Sequence, residues 1–204
     1  MNIKIWCTLI IIVFSFSCTS TNITSSWRQP DKEIVVSNLK KVLVVAFLDS
    51  ETSRRKAEDQ MVSYLNGKGI VSYNYLKEGF DKKNEDAIRK KIKADGFDGA
   101  ITMRLIDVEK DEQYVRGNRS NFPIYYQNFS GYYHNMWSFY QTPGYFTTTK
   151  IYTIESNVYS IKDDKIIWSG LTETTNPDGV KKMTAEVAQA VYKQMIKEGF
   201  INKS

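Results

Sequence analysis

The stretch KKVLVVAFLD, at residues 40–49, decides the fold class of this chain. Its apolar residues run without interruption from Val42 to Leu48, as in a strand that is buried on both faces. The pattern then changes, because Thr52 or Ser53 can cap a helix. A buried strand that leads directly into a helix is the first unit of an α/β fold.

The helix after this strand has a short apolar stripe. Ala57, Met61 and Leu65 recur at i, i+4 and i+8, which places them on one face. Gly67 or Gly69 ends the helix. This face is expected to lie against the sheet.

The next segments continue the alternation of strands and helices. IVSYNYL, at residues 70–76, predicts a second, shorter strand. Asn84 can cap a helix over EDAIRKKIKAD, which Gly96 ends. The segment FDGAITMRLIDVEKDEQYV, at residues 97–115, predicts a long strand with Ile101, Met103 and Leu105 on one face.

The last third of the chain predicts a hairpin and a helix. TTTKIYTIESNVYSI and KIIWSGLTETT are β-branched runs, joined by the turn sequence KDD. Trp168 is expected to pack on one face of this hairpin. A final helix starts near Asp178, and Gly199 ends it. Its apolar stripe consists of Met183, Val187, Val191 and Met195.

Together these elements predict one α/β domain over residues 33–204. The order is strand, helix, strand, helix, strand, aromatic insertion, hairpin and C-terminal helix. We expect an α/β sandwich in which three helices pack against a mixed sheet of about five strands. The aromatic insertion occupies residues 116–147.

This insertion contains the most unusual composition in the chain. NFPIYYQNFSGYYHNMWSFYQTPGYF, at residues 121–146, holds eleven aromatic residues and the only histidine. Tyrosine has an apolar face and a polar tip, and the Asn, Gln, Ser and Gly between the rings are adaptable hydrogen-bonding partners. The segment either packs as a long loop on the domain or forms a contact surface. The candidate contact residues are Tyr125, Tyr126, Tyr132, Tyr133, Trp137 and Tyr140.

The N-terminus predicts export and lipid attachment. Residues 1–17 have a positive Lys4 and an apolar run that is too short to span a bilayer, as in a secretion signal. Cys18 follows Ser15, Phe16 and Ser17, which resembles a bacterial lipobox although Ser15 stands where leucine is usual. We expect cleavage before Cys18 and acylation of Cys18. Residues 18–32 then form a flexible tether.

Charge and cysteine content agree with this location. Cys7 leaves with the signal, so the mature chain has one cysteine and no internal disulfide. Removing residues 1–17 removes Lys4 and no acid, so the net charge falls from +5 to +4. This is too little for nucleic-acid binding. Thr19 and Ser20 follow Cys18, so no Asp stands at position +2 of the mature chain, which favours the outer membrane, facing the periplasm.

The residues predict neither a catalytic centre nor a cofactor site. His134 lacks a nearby Ser/Asp pattern, and a single histidine with no mature free thiol cannot build a structural zinc site. Asp107, Glu109 and Asp111 alternate along one strand and are expected on one solvated face. Glu155 and Glu173 lie on the two hairpin strands and could approach one another. We expect no metal, no cofactor and no enzymatic activity.

Several segments also resemble a family of small uncharacterised bacterial envelope lipoproteins. They are the lipobox, SSWRQPD, KKVLVVAF, RRKAEDQM, GAITMRLID and the hairpin that contains IIWSG. The resemblance covers most of the mature chain and implies a lipid-anchored α/β protein. It brings no catalytic residues with it.

Three functions remain open on the sequence alone. The first is a non-enzymatic envelope lipoprotein that contacts another protein or itself through the aromatic segment. The second is a module that binds peptidoglycan or polysaccharide through the same rings. The third is a hydrolase with an unrecognised site.

Overall fold

The computed structural model describes residues 21–35, 38–76, 84–117, 128–140 and 144–201, with the backbone alone for 135–140. In chain order the elements are β1 (Thr21–Arg28), β2 (Val42–Phe47), α1 (Glu51–Val62), β3 (Gly69–Val71), α2 (Ser72–Tyr75), α3 (Glu85–Ala94), β4 (Gly99–Val115), α4 (Phe129–Tyr140), β5 (Tyr145–Ser160), β6 (Lys165–Thr175) and α5 (Gly179–Lys197).

The strands form one open, mixed sheet in the order β1-β6-β5-β4-β2-β3. β2 is parallel to both β3 and β4, whereas β4, β5, β6 and β1 are successively antiparallel. The predicted α/β class with a mixed sheet is confirmed. Among the described residues the sheet has six strands because β1 joins it, and the five helices found there include the single turn α2 and the helix α4.

Two apolar clusters hold the layers together. The larger lies between the sheet and the helices α1 and α5, and Val44, Val187 and Trp168 in it are completely buried. The smaller lies on the other face, where Ile92 of α3 packs with Leu43 and Phe97. The predicted stripe of α5 is confirmed by this burial. In α1 only Ala57 and Met61 are buried, because the helix ends at Val62 rather than at Gly67 or Gly69, and Leu65 lies in the turn that follows.

The helix ends follow the sequence signals except at the two ends of α1. Asn84 caps α3 by accepting a hydrogen bond from the Ala87 N–H at 3.0 Å, and Gly199 follows α5 with a φ of 67°. The cap of α1 is Ser50 rather than Thr52 or Ser53, because its hydroxyl accepts from the Ser53 N–H. The chain thus turns into α1 two residues earlier than predicted.

The strand predicted at residues 70–76 is shorter in the structure. It ends at Val71, and Ser72–Tyr75 form one helical turn. The cause is the buried carboxylate of Glu58, which accepts the Ser72 N–H at 2.6 Å and the Tyr73 N–H at 3.2 Å. The first two amides of the turn are therefore satisfied by α1, which ends the strand.

The prediction of a flexible tether over residues 18–32 is wrong from Thr21 onward. TNITSSWR forms β1, which pairs with β6 along its whole length. Polar side chains hold it in place: the Thr21 hydroxyl lies 2.7 Å from that of Thr174 and donates to Glu186 at 3.1 Å. The segment is polar, as a tether would be, but its β-branched residues match the free edge of β6.

A second polar cluster fixes the other end of β1. Glu198, just after α5, accepts hydrogen bonds from the Ser26 hydroxyl, from Trp168 Nε1 at 2.8 Å and from Gln194 Nε2 at 2.8 Å. Burial raises the pKa of Glu198, but these hydrogen bonds and the charge of Arg28 together lower it by a larger amount. The pKa of Glu198 is therefore below its usual value. The ionised carboxylate is the form that holds β1 to α5.

This pKa shift predicts how stability depends on acid. A lowered folded-state pKa stabilises the protein above the unfolded value of about 4.3, and this contribution is lost as the pH falls through the folded value. We expect Glu198→Gln to be less stable than wild type at pH 7, and the difference to shrink below about pH 4. Chemical denaturation at several pH values measures this; a difference that is constant with pH contradicts it.

Candidate interaction site: the aromatic arm

The outer halves of β4 and β5 extend beyond the rest of the sheet. β2 ends with Phe47 opposite Arg104, and β6 ends with Thr175 opposite Ile151. Beyond the pair of Glu109 and Ile151, as far as the pair of Val115 and Tyr145, the two strands pair only with each other within the described part of the chain. An isolated two-stranded ribbon is marginally stable in water. The ribbon therefore gains stability from whatever contacts it.

The body of the ribbon is polar on both faces. Asp107, Glu109 and Asp111 are exposed and lie opposite Thr153, Ile151 and Thr149, which confirms that these acids share one face. The other face carries an exposed lysine and glutamate on β4, Lys110 and Glu112. Such a ribbon is suited to water rather than to an apolar interior.

The end of the ribbon is aromatic. Tyr114 and Phe146 lie opposite each other with ring centroids 5.1 Å apart and planes at 52°. Their side chains are 54% and 70% exposed, and that of Tyr145 is 60% exposed. Gly144 is required beside them, because a Cβ there would overlap the Tyr114 ring and the Val115 carbonyl. The position of the Tyr114 ring thus depends on the lack of a side chain at Gly144.

A helix lies inside the predicted insertion, where the sequence predicted an irregular segment. α4 spans Phe129–Tyr140, and the Asn128 side chain accepts the Gly131 N–H at 2.8 Å. The helix contains no Asp, Glu, Lys or Arg. Because aromatic residues occupy most of its turns rather than one stripe, the helical period was not visible in the sequence.

The described rings of α4 are also exposed. Phe129 and Tyr133 pack with centroids 5.8 Å apart and planes at 31°. Phe129 is 77% exposed, Tyr133 is 56% exposed and Tyr132 is 52% exposed. We define the aromatic arm as the ribbon from Asp107 to Val115 and from Tyr145 to Ile151, together with α4.

The structure places the predicted contact residues unevenly. Tyr132 and Tyr133 are exposed on α4. Trp137 and Tyr140 also lie in this helix, but the structure describes only their backbone. Tyr125, Tyr126 and the predicted lipidation site Cys18 lie outside the described residues. Four further rings are exposed on the arm but were not among the predicted contact residues: Phe129 on α4, and Tyr114, Tyr145 and Phe146 at the ribbon end.

The candidate catalytic groups are not brought together. His134 is exposed on α4. Glu155 lies opposite Leu171 and forms an ion pair with Arg104 at 3.1 Å, whereas Glu173 lies opposite Thr153. The two carboxylates are thus offset along the hairpin, and one of them is already paired with a cation. Across the described ranges no three His, Cys, Asp or Glu residues are close enough to hold a metal ion.

A separate cavity of about 330 Å³ lies between β1 and α5. Its lining combines polar and charged residues such as Thr21, Glu186 and Lys193 with the apolar Ile23 and Ala190. It is a partly open depression of mixed character, unlike the enclosed and mostly apolar pockets that bind small molecules. None of the described helices is long and apolar enough to cross a membrane.

The fold and this surface define an open-sheet α/β protein whose exposed rings are concentrated on one projecting arm. No known protein family and no curated protein matches the chain. Among solved structures it is similar to the PelC dodecamer of Paraburkholderia phytofirmans, at 6% identity and a TM-score of 0.43, over 84% of this chain and 94% of that one. It is also similar to the lipoprotein GNA1162 of Neisseria meningitidis, at 11% identity and a TM-score of 0.40, over 77% and 98% of the chains. These values are too low to assign a shared fold.

Proposed function

We propose that this chain is a lipid-anchored protein of the bacterial envelope that has no enzymatic activity and acts by docking on another envelope protein through its aromatic arm. The observation that carries the proposal is the concentration of exposed aromatic side chains at one end of a projecting ribbon and on α4. Exposed apolar patches of this kind mark interaction sites in soluble domains.

The ring geometry favours a protein partner over a glycan. Sugar binding by stacking needs rings that present flat faces in a row, whereas the two described ring pairs are tilted by 52° and 31°. Tilted, protruding aromatic side chains are typical anchors of protein interfaces, where they fill pockets of the partner. Glycan binding stays the second candidate because the arm also has the Asn and Gln residues that hydrogen-bond hydroxyls.

The absence of activity is proposed from the dispersal of reactive groups. A hydrolase needs a nucleophile, a base and an orienting group within hydrogen-bonding distance in a cleft. The described His134 is exposed on the arm, and Glu155 is engaged by Arg104. Neither residue lines the cavity between β1 and α5.

The lipid anchor is tested at Cys18. We expect Cys18→Ser to leave the membrane fraction and to lose the mass of the acyl chains, because one residue with several chains is effectively permanently anchored. Membrane fractionation and intact mass measurement give the result. Unchanged retention together with unchanged mass contradicts the anchor.

The protein contact is tested by photo-crosslinking in the native envelope. A photoreactive residue at Tyr133 is expected to capture a discrete protein, because this ring is 56% exposed on the arm. The same residue at Tyr64, which is 50% exposed just beyond α1, is the matched control. Equal products from both positions, or none from Tyr133, contradict the proposed docking surface.

A further inference from the structure

The chain enters β1 at the same end of the sheet, along the strand direction, as the end from which the aromatic arm projects. Thr21, the first residue of β1, lies opposite Thr174, which lies opposite Tyr152 of β5. β5 and its partner β4 continue past this level towards the ribbon end, in the direction from which the chain enters β1. The topology thus directs the arm towards the side where residues 1–20 join the described structure.

The lengths of the two extensions differ. Cys18 precedes Thr21 by three residues, so it can lie at most about 10 Å from the start of β1. Tyr145 lies seven residues beyond Tyr152, which places the ribbon end about 23 Å beyond the same level. If Cys18 holds the chain in a bilayer, the ribbon end reaches the headgroups when the strands stand upright with the start of β1 facing the membrane, because about 23 Å exceeds about 10 Å.

The side chains of the arm change from mainly charged to mainly aromatic towards its tip, the part that would reach the membrane. The charged residues Glu109, Lys110, Asp111 and Glu112 occupy the part of the ribbon nearer to the sheet. Beyond them, the described aromatic residues at the tip are Tyr114, Tyr145 and Phe146, beside the exposed Arg116, and α4 has no Asp, Glu, Lys or Arg. An arginine near the tip is compatible with the headgroup level, where its charged end can stay in water. Tyrosine and phenylalanine with an apolar body are the residues that settle at membrane–water interfaces.

We propose that the tip of the aromatic arm is a second membrane contact, inserted at the headgroup level of the same bilayer that holds the acylated Cys18. This inference rests on the lipid anchor of the proposed function and not on the identity of the partner protein. The polar ribbon spans the gap between sheet and membrane, and the tip fixes the orientation of the sheet above the surface. Docking through the rings of α4 then takes place at the membrane surface.

The test uses the full, acylated chain and one spin label. Cys7 leaves with the signal and the thiol of Cys18 is acylated, so a cysteine introduced by Phe146→Cys is the only free thiol. Tyr64→Cys is the matched control, since both positions are exposed. The proteins are reconstituted in vesicles of phosphatidylethanolamine and phosphatidylglycerol. Relaxation by lipid-soluble oxygen is compared with relaxation by a water-soluble nickel complex.

We expect oxygen to dominate at position 146 and the nickel complex to dominate at position 64, with their ratio differing by about tenfold, since an apolar side chain at the tip partitions into the interface. A label at position 146 that is as open to nickel as the control overturns the inference. If this label is open in pure lipid but shielded in native membranes, a protein covers the tip, which overturns the membrane contact and supports the docking proposal. If the label at position 146 is exposed to lipid and Tyr133 gives no crosslink, the membrane contact is supported and the docking proposal is contradicted.

Discussion

Glu58→Ala is expected to lower the free energy of unfolding by about 3–5 kcal/mol, because it removes the acceptor of a fully buried hydrogen-bond network. Glu58 is completely buried. Its carboxylate accepts the backbone N–H groups of Ala46 at 3.1 Å and Ser72 at 2.6 Å, as well as the Ser72 hydroxyl at 2.7 Å and Arg54 Nε at 3.1 Å. One side chain of α1 therefore joins β2 to the turn after β3.

The measurement is chemical denaturation, with a control on the same helix. Glu51→Ala removes another carboxylate that pairs with Arg54 and Arg55, but this one is exposed at the first turn. Exposed pairs contribute little, so the control is expected to change stability hardly at all. Glu58→Gln keeps one acceptor oxygen and should fall between the two. Equal stability of Glu58→Ala and Glu51→Ala contradicts the assigned role of the network.

Trp168→Ala is expected to have an effect of similar size, about 3–5 kcal/mol, because it opens a large cavity in the main core. The Trp168 side chain is completely buried and also donates to Glu198. Its ring lies directly over Gly170, where a Cβ would overlap Cη2 and lie 3.0 Å from both Cζ2 and Cζ3. The ring thus occupies the space that any other residue at position 170 would need.

Trp27 provides the matched control for this substitution. It lies on the neighbouring strand opposite Ser169, and its side chain is 48% exposed. Trp27→Ala is expected to cost about 1 kcal/mol or less, because about half of the ring is already in water. Gly170→Ala is a second variant of the same contact and should destabilise by about 1–3 kcal/mol. A Trp168→Ala loss no larger than that of Trp27→Ala contradicts the packing.

The strands and helices with strong periodicity could be predicted, and those fixed by tertiary contacts could not. KIIWSGLTETT forms β6 over Lys165–Thr175 as its β-branched run predicts. β1 was missed because its polar residues look like a tether until the free edge of β6 is available for pairing. The end of β3 was missed because it depends on Glu58, a charged residue whose burial has no signature in a single sequence.

The composition predicted the aromatic segment, but it did not predict that β4 and β5 project beyond the sheet. Aromatic richness identified the segment, and Tyr132 and Tyr133 are exposed there. The ribbon itself follows from the different lengths of neighbouring strands, since β4 has 17 residues whereas β2 has six. Strand length relative to its neighbours is a property of the assembled sheet, so the projection of the aromatic end could not be read from local pattern.

The central claim is that the aromatic arm is a contact element, and hydrogen–deuterium exchange of its backbone amides tests this most directly. A ribbon flanked by no further strand opens easily in the purified protein, and contact at its end should suppress that opening. We expect the amides of residues 110–115 and 145–149 to exchange at least about tenfold more slowly in native membranes than in the purified protein, while those of α5 stay unchanged. Equal exchange of the arm in both states would contradict the account.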